Sequence, residues 1–464
     1  MYETDSLQDT IIAPASGRGG AVTLIRLSGK ELQPLLLKHF RSAKPLCHAH
    51  ALYGHMLDGE ELIDEVVLTY FQAPHSYTGE DTAEIGCHAS PYIVERILNC
   101  FIQSGARMAN PGEFTLRSYL NGKRDLAEAE AVADLIHAEG EAQHRLAMAQ
   151  LRGDYSQTLS DVRRRFIEFA SLIELELDFS EEDVAFADRD RLIALAQEVR
   201  TQIRALIDSY QTGRKIRNGI ATVICGIPNA GKSALLNALL RENRAIVSDI
   251  EGTTRDTVSE TIFIGGYPFR IIDTAGLRHT DNPIEQLGVA RSREALGEAD
   301  IALLLIDATR CAGEQDLAQQ LKIAEEIKAP ALCVLNKIDL FDERSQIELS
   351  ERITARMPKY PLLLVSAKER TGLKALEEAM VRLSATNSAE QASVIVTNLR
   401  HLELLEKADK GLDAVLNGLK RNTDSALIAL ELRTAINAIG EITGETIRDN
   451  DILGHIFANF CIGK

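Results

Sequence analysis

Gly226-Ile227-Pro228-Asn229-Ala230-Gly231-Lys232-Ser233 has the G-x-x-x-x-G-K-[ST] spacing of a phosphate-binding loop. The apolar run 221–225 before it reads as a buried strand, and Leu235, Leu236 and Leu239 after it recur at helical spacing. Strand, loop and helix in that order are what phosphate chemistry needs. Successive backbone N–H groups through Asn229, Ala230 and Gly231, and the helix N-terminus at Ser233 and Ala234, point at the phosphates. Lys232 neutralises charge near the terminal phosphoryl groups, and the Ser233 hydroxyl suits Mg²⁺.

Outward from this loop the chain alternates short apolar runs with helical patterns. The runs 221–225, 269–272, 301–306, 331–335 and 361–365 predict parallel βαβ units in a doubly wound sheet across 217–384. Further nucleotide motifs follow these runs. Asp273-Thr274-Ala275-Gly276 supplies an aspartate for the Mg²⁺ shell and a glycine amide for the γ-phosphate. Upstream, Gly252-Thr253-Thr254-Arg255-Asp256 supplies a threonine that can close over Mg²⁺ when the third phosphate is present. In Asn336-Lys337-Ile338-Asp339 the Asp339 carboxylate can accept from guanine N1–H and its 2-amino group, donors that adenine lacks. Ser366-Ala367-Lys368 suits backbone contact with the base. Each motif in its place makes this a GTP-binding domain.

Where Ras-like enzymes carry a water-orienting glutamine, this chain has Leu277, which cannot hydrogen-bond water. Hydrolysis must recruit another polar group and a charge to replace an arginine finger. Arg278, Glu285, Arg255 and Asp256 are the nearby candidates.

At 464 residues the chain is too long for one core. Residues 1–120 mix strand-like segments, 21–27 and 66–71, with a helical one at 93–101, and predict an α+β domain. From Asp125 helices take over, with Leu126, Val132, Leu135 and Ile136 on one face. Leu159, Val162, Phe166, Phe169 and Ile173 then form a seam that needs a partner helix. Helical periodicity resumes after 385–393 through Leu399, Leu402 and Leu405, then Leu427, Leu430, Ala435 and Ile439. If the blocks 121–216 and 385–464 pack together, the nucleotide domain is an insertion in one helical domain. Arg163, Arg164 and Arg165 read as a solvated face.

A net charge of -17 argues against a broad basic surface for nucleic acid, so contact with RNA would use a local patch or a basic partner. No tryptophan and 5% aromatic residues give no stacking platform. Seven cysteines without CxxC pairing, no long apolar span and an acidic start, Met1 to Asp9, predict a cytoplasmic protein without a membrane segment.

These residues carry a resemblance. Asp9-Thr10-Ile11, Gly17-Arg18-Gly19-Gly20, Arg26-Leu27-Ser28-Gly29, Ser76-Tyr77-Thr78-Gly79-Glu80-Asp81, Pro111-Gly112-Glu113-Phe114-Thr115, Leu120-Asn121-Gly122-Lys123, the nucleotide motifs and the terminal Phe460-Cys461-Ile462-Gly463-Lys464 are similar to those of the MnmE (TrmE) family of tRNA uridine modification GTPases. The resemblance implies a tetrahydrofolate-binding, dimerising domain at 1–120, a helical domain in two parts, and an inserted Ras-like G domain. It implies a homodimer that works with an FAD- and NADH-dependent partner, MnmG, as a heterotetramer. Together they would place an aminomethyl or carboxymethylaminomethyl group on C5 of a tRNA wobble uridine, with GTP hydrolysis driving a rearrangement.

Residue by residue, the resemblance assigns K⁺ to Asn229, Ser248, Ile250 and Thr253, backbone carbonyls serving at the middle positions, and Mg²⁺ to Ser233 and Thr254. Glu285 becomes the water-organising acid. It assigns 5-formyltetrahydrofolate or another reduced folate, the methylene form being the one-carbon donor, to Arg26, Glu84, Lys123 and Lys464. Cys461 becomes a candidate nucleophile or acid–base group. The chain departs from the pattern at Ala89-Ser90, where the family commonly has two glycines. Two other readings stand beside this one: a GTP-controlled assembly factor or switch with no chemistry beyond hydrolysis, and a folate-dependent one-carbon transferase fused to an inert G domain.

Overall fold

Burial alternates along the N-terminal strands, as expected where one sheet face meets a core and the other meets solvent. The computed structural model describes residues 9–17, 19–178, 189–242, 259–273, 296–311, 314–384, 394–421 and 423–445, with Phe457, Phe460 and Gly463. Seven strands, β1 (Ile11–Pro14), β2 (Val22–Ser28), β3 (Phe40–Arg41), β4 (Ala51–Asp58), β5 (Glu61–Phe71), β6 (Thr82–His88) and β7 (Arg107–Met108), form one sheet in the order β3-β4-β5-β6-β2-β1-β7. Its buried face, through Ile25, Leu27, Leu52, Met56, Val66, Leu68 and Ile85, is covered by the helices Leu32–His39 and Pro91–Gln103. β4 was not legible in the sequence because its alternate residues face solvent, and β6 because Thr82, Glu84, Gly86 and His88 interrupt its apolar residues although only His88 is exposed. Ala89-Ser90 fits without a glycine: Ser90 is the residue before the helix, at φ -67°, and Ala89 N–H bonds the Ala21 carbonyl at 3.1 Å.

The helical seam found its partner. Leu159, Val162, Phe166, Phe169 and Ile173 of the helix Asp154–Asp178 are buried, and that helix packs on Ser425–Thr443, far away in sequence. Leu427 and Leu430, expected on the core face of the second helix, are exposed. The buried stripe instead runs through Ile428, Leu432, Ala435, Ile439 and Ile442. Ile136 is likewise exposed, at the last position of the helix Leu126–Ile136. Of the three arginines read as solvated, Arg163 pairs with Glu445 at 2.5 Å, Arg164 with Asp161 at 2.7 Å, and Arg165 with Glu198.

The second sheet follows the other rule. β8 (Ile220–Cys225), β11 (Ile301–Asp307) and β12 (Ala331–Asn336) are buried at every residue, as parallel strands covered on both faces must be. With β9 (Ser259–Ile264), β10 (Tyr267–Asp273) and β13 (Leu362–Val365) they give the order β13-β12-β11-β8-β10-β9, parallel except for the edge strand β9.

By contacts the chain divides into two units, 1–137 with 147–203 and 403–464, and 138–146 with 204–402. The α/β unit thus extends beyond its sheet. Val396 N–H bonds the Ser209 hydroxyl at 3.0 Å, and Arg214 pairs with Asp300 at 2.6 Å. Ala142 joins the core beside β9 and β10, its N–H bonding the Gly266 carbonyl at 3.1 Å.

Candidate functional site

The phosphate loop is built by close approach. A Cβ on Gly226 would lie 2.3 Å from the Leu305 carbonyl, and one on Gly231 would lie 2.3 Å from the Asn336 amide nitrogen. Both glycines also have positive φ, +149° and +100°. Asn229, exposed between them, takes the left-handed conformation at φ +65°. Lys232 curls back over the loop, its ammonium donating to the Gly226 carbonyl at 2.9 Å and the Ile227 carbonyl at 3.2 Å. Ser233 lies exposed in the first turn of the helix Lys232–Glu242. Main-chain donors, an ammonium and an exposed hydroxyl at one helix start form a donor set that fits a Mg²⁺-bound phosphate chain.

The guanine motifs converge on the same end of the sheet, at the carboxyl ends of its parallel strands, where ligands of open α/β sheets bind. Asn336, buried at the end of β12, donates to the Ala230 carbonyl at 3.0 Å and accepts from Ala367 N–H at 3.0 Å. It is a strut between phosphate loop and base loop. Lys337 donates to the Asn229 carbonyl at 3.1 Å. Asp339 is oriented by the Ser366 hydroxyl at 2.5 Å, which in turn accepts from Glu369 N–H. Lys368 is exposed beside them. Asp307, at the end of β11, was missed in the sequence; it holds Lys337 at 2.6 Å. Burial pushes its carboxyl up, but hydrogen bonds from Lys337 and Thr309 outweigh that and hold it below its ordinary value. Its signal was an aspartate ending the apolar run 301–306.

Asp273 ends β10, parallel to β8 and opposite Ile224. Ser248, Ile250, Thr253, Thr254, Arg255, Asp256, Thr274, Ala275, Gly276 and Glu285 lie outside the described residues.

In the N-terminal unit the register sets Arg26 of β2 directly opposite Glu84 of β6, and they pair at 2.8 Å. The Arg26 guanidinium lies 5.2 Å from the Tyr77 ring centre and 5.8 Å from that of Phe114, and donates to the Gly463 carbonyl at 3.1 Å. Gly463 therefore reaches this pair. Phe457 and Phe460 pack among Leu116, Leu126 and Ala129, and Gly463 sits so close to Pro14 that a Cβ would meet its carbonyl at 2.2 Å. Lys123 donates to the Pro74 carbonyl at 3.0 Å. Cys461 and Lys464 lie outside the described residues. An ion pair ringed by two aromatic faces suits a flat heterocycle with donors on its edge and an anionic tail.

The comparisons with known proteins cover both units. A family model described as the MnmE helical domain matches residues 126–461, and one described as the GTP-binding protein TrmE N-terminus matches residues 10–123. The chain is 46% identical to a tRNA modification GTPase MnmE from Porphyromonas gingivalis, covering 98% of each chain. The chain belongs to the MnmE family of tRNA modification GTPases. Another relative bearing that name, from Christiangramia forsetii, is 44% identical over 99% of this chain and 100% of its own. A third, from Bacteroides thetaiotaomicron, is 44% identical over 98% and 100%. This member of the family carries its nucleotide loops in one unit and the Arg26–Glu84 pair in the other.

Proposed function

We propose that this chain hydrolyses GTP in the service of tRNA modification, acting with an FAD- and NADH-dependent partner of the MnmG kind on C5 of a wobble uridine. In this reading it adds an aminomethyl or carboxymethylaminomethyl group, works as a homodimer within a heterotetramer, and resides in the cytoplasm. Among the described residues no helix is long and apolar enough to cross a membrane. The observation that carries the hydrolytic half is the joining of the two nucleotide loops by Asn336, with Asp339 oriented by Ser366 beside them.

Mg²⁺, when bound, draws charge from the phosphate oxygens; Ser233 and Thr254 are assigned to it. Asn229, Ser248, Ile250 and Thr253 are assigned to K⁺, which answers the want of an arginine finger beside Leu277. Glu285 is assigned to the attacking water, with Arg255 and Asp256 as the other candidates. The exposed, left-handed Asn229 supports its part in this reading. Arg26, Glu84, Lys123 and Lys464 are assigned to a reduced folate, which supplies the one-carbon unit. The docking of Gly463 against Arg26 supports bringing Lys464 and Cys461 to that place.

Nucleoside analysis of tRNA from cells lacking this chain tests the whole. Loss of the C5-modified wobble base is expected; an intact base hands the reading to a GTP-controlled switch. Equal GTP turnover in K⁺ and Na⁺ at matched ionic strength removes the potassium assignment alone. Calorimetry with 5-formyltetrahydrofolate tests the folate assignment, which falls if binding is absent or survives intact in Glu84→Ala.

A further inference from the structure

The last residue of β11 does something the strand does not need. Ile301 to Ile306 are apolar and buried; Asp307 closes the run, 2% exposed. Its Oδ1 accepts from Thr309 N–H at 2.9 Å and from the Thr309 hydroxyl at 2.6 Å, and its Oδ2 accepts from Lys337 Nζ at 2.6 Å. The same ammonium donates to the Asn229 carbonyl at 3.1 Å. A carboxylate this buried is tolerated only when it is paired and hydrogen-bonded, and a paired ammonium is held in one geometry. Lys337 and Asn229 both have left-handed backbones, φ +68° and +65°, which non-glycine residues keep only where the surroundings over-determine them. Asparagine enters that region readily. Lys337 caps the short turn Ile338–Leu340, its carbonyl accepting from Leu340 N–H at 3.2 Å, and the grip on its side chain adds to that local bond in holding it there.

We propose that Asp307 is a positioning residue for the nucleotide and cation site, clamping Lys337 so that the guanine-reading loop is locked to the phosphate loop at Asn229. The cation arm of this inference rests on the reading of Asn229 as a K⁺ ligand; the nucleotide arm does not. Asn336 makes a separate link at Ala230, so loss of Asp307 leaves one strut in place and releases the other, the one at Asn229. The K⁺ response should therefore suffer more than guanine affinity.

Asp307→Asn, Lys337→Met and the double variant of the full chain are compared by titration with mant-GDP and by the K⁺ concentration that half-activates GTP turnover. Asp307→Asn should weaken mant-GDP about threefold and raise the half-activating K⁺ about tenfold. The double variant should be no worse than Lys337→Met alone, because Asp307 acts through that lysine. Additive losses in the double variant, or constants within about twofold of the unsubstituted chain, overturn the proposal. If the unsubstituted chain turns over equally in K⁺ and Na⁺, the potassium reading fails by itself, and mant-GDP affinity and its coupling decide the role of Asp307. Where far-UV circular dichroism shows Asp307→Asn unfolded, Asp307→Glu keeps the charge and takes its place. The displaced carboxylate should raise half-activating K⁺, or in its absence the mant-GDP constant, about threefold; no shift overturns the proposal.

Discussion

One carboxylate, such as that of Asp339, can accept from two adjacent donors on guanine, and Ser366 fixes the angle at which it is offered. An amide in its place presents a donor to guanine's 2-amino group and suits a 2-oxo group instead. Asp339→Asn should therefore weaken GDP by about two orders of magnitude and favour xanthine nucleotides, as read by competition against mant-GDP. Arg117, Glu113 and Glu80 form a buried charged cluster that the half-buried Asp9 and Arg107 complete. Arg117, 2% exposed, bonds Asp9 at 2.7 Å and both glutamates at 3.0 Å, and Arg107 bonds Asp9 at 2.7 Å. Burial pushes the Asp9 carboxyl up, but hydrogen bonds from Arg107 and Arg117 prevail and hold it below its ordinary 3.8. A depressed carboxyl stabilises the fold above its unfolded pKa, and that contribution is lost as pH falls through the folded one. Thermal melts should thus show stability of the N-terminal unit dropping as pH falls below 3.8, and Asp9→Asn should flatten that slope while lowering stability at pH 7.

At the scale of elements, stability rests on seams between distant segments. Phe166 is fully buried on the helix Asp154–Asp178, which packs on Ser425–Thr443. Phe166→Ala should cost about 3–5 kcal/mol, measured by denaturant unfolding, because the surrounding helices cannot collapse into the space. Guanine affinity should be unchanged, since that seam and the nucleotide loops belong to different units. The sequence displayed this seam plainly because five apolar residues keep strict helical spacing. It misled at Leu427 and Leu430, where spacing alone could not say which of two apolar stripes would be covered.

The whole molecule should unfold in two steps, because contacts divide it into two units with separate cores. Scanning calorimetry with and without GDP should move only the transition of the unit that holds residues 204–402. At a ligand concentration of about 100 Kd the stabilisation is about 2.7 kcal/mol. A reduced folate, on the assignment above, should move only the other transition. One ligand moving both, or a single transition with either, would sink this division.

Local signals in the sequence, glycine at forced positions, a strand-end aspartate and uninterrupted apolar runs, were enough to locate the phosphate loop and the five parallel strands that carry the nucleotide motifs, but not the antiparallel edge strand β9 or the order in which the strands pair. The sequence by itself also determined the class of each region. Tertiary structure decided the rest. That Arg26 faces Glu84, that Gly463 lies at Arg26, and that Asp307 holds Lys337 are facts about register and return of the chain. No spacing along the sequence encodes them, because each joins residues whose nearness exists only once the sheets have formed.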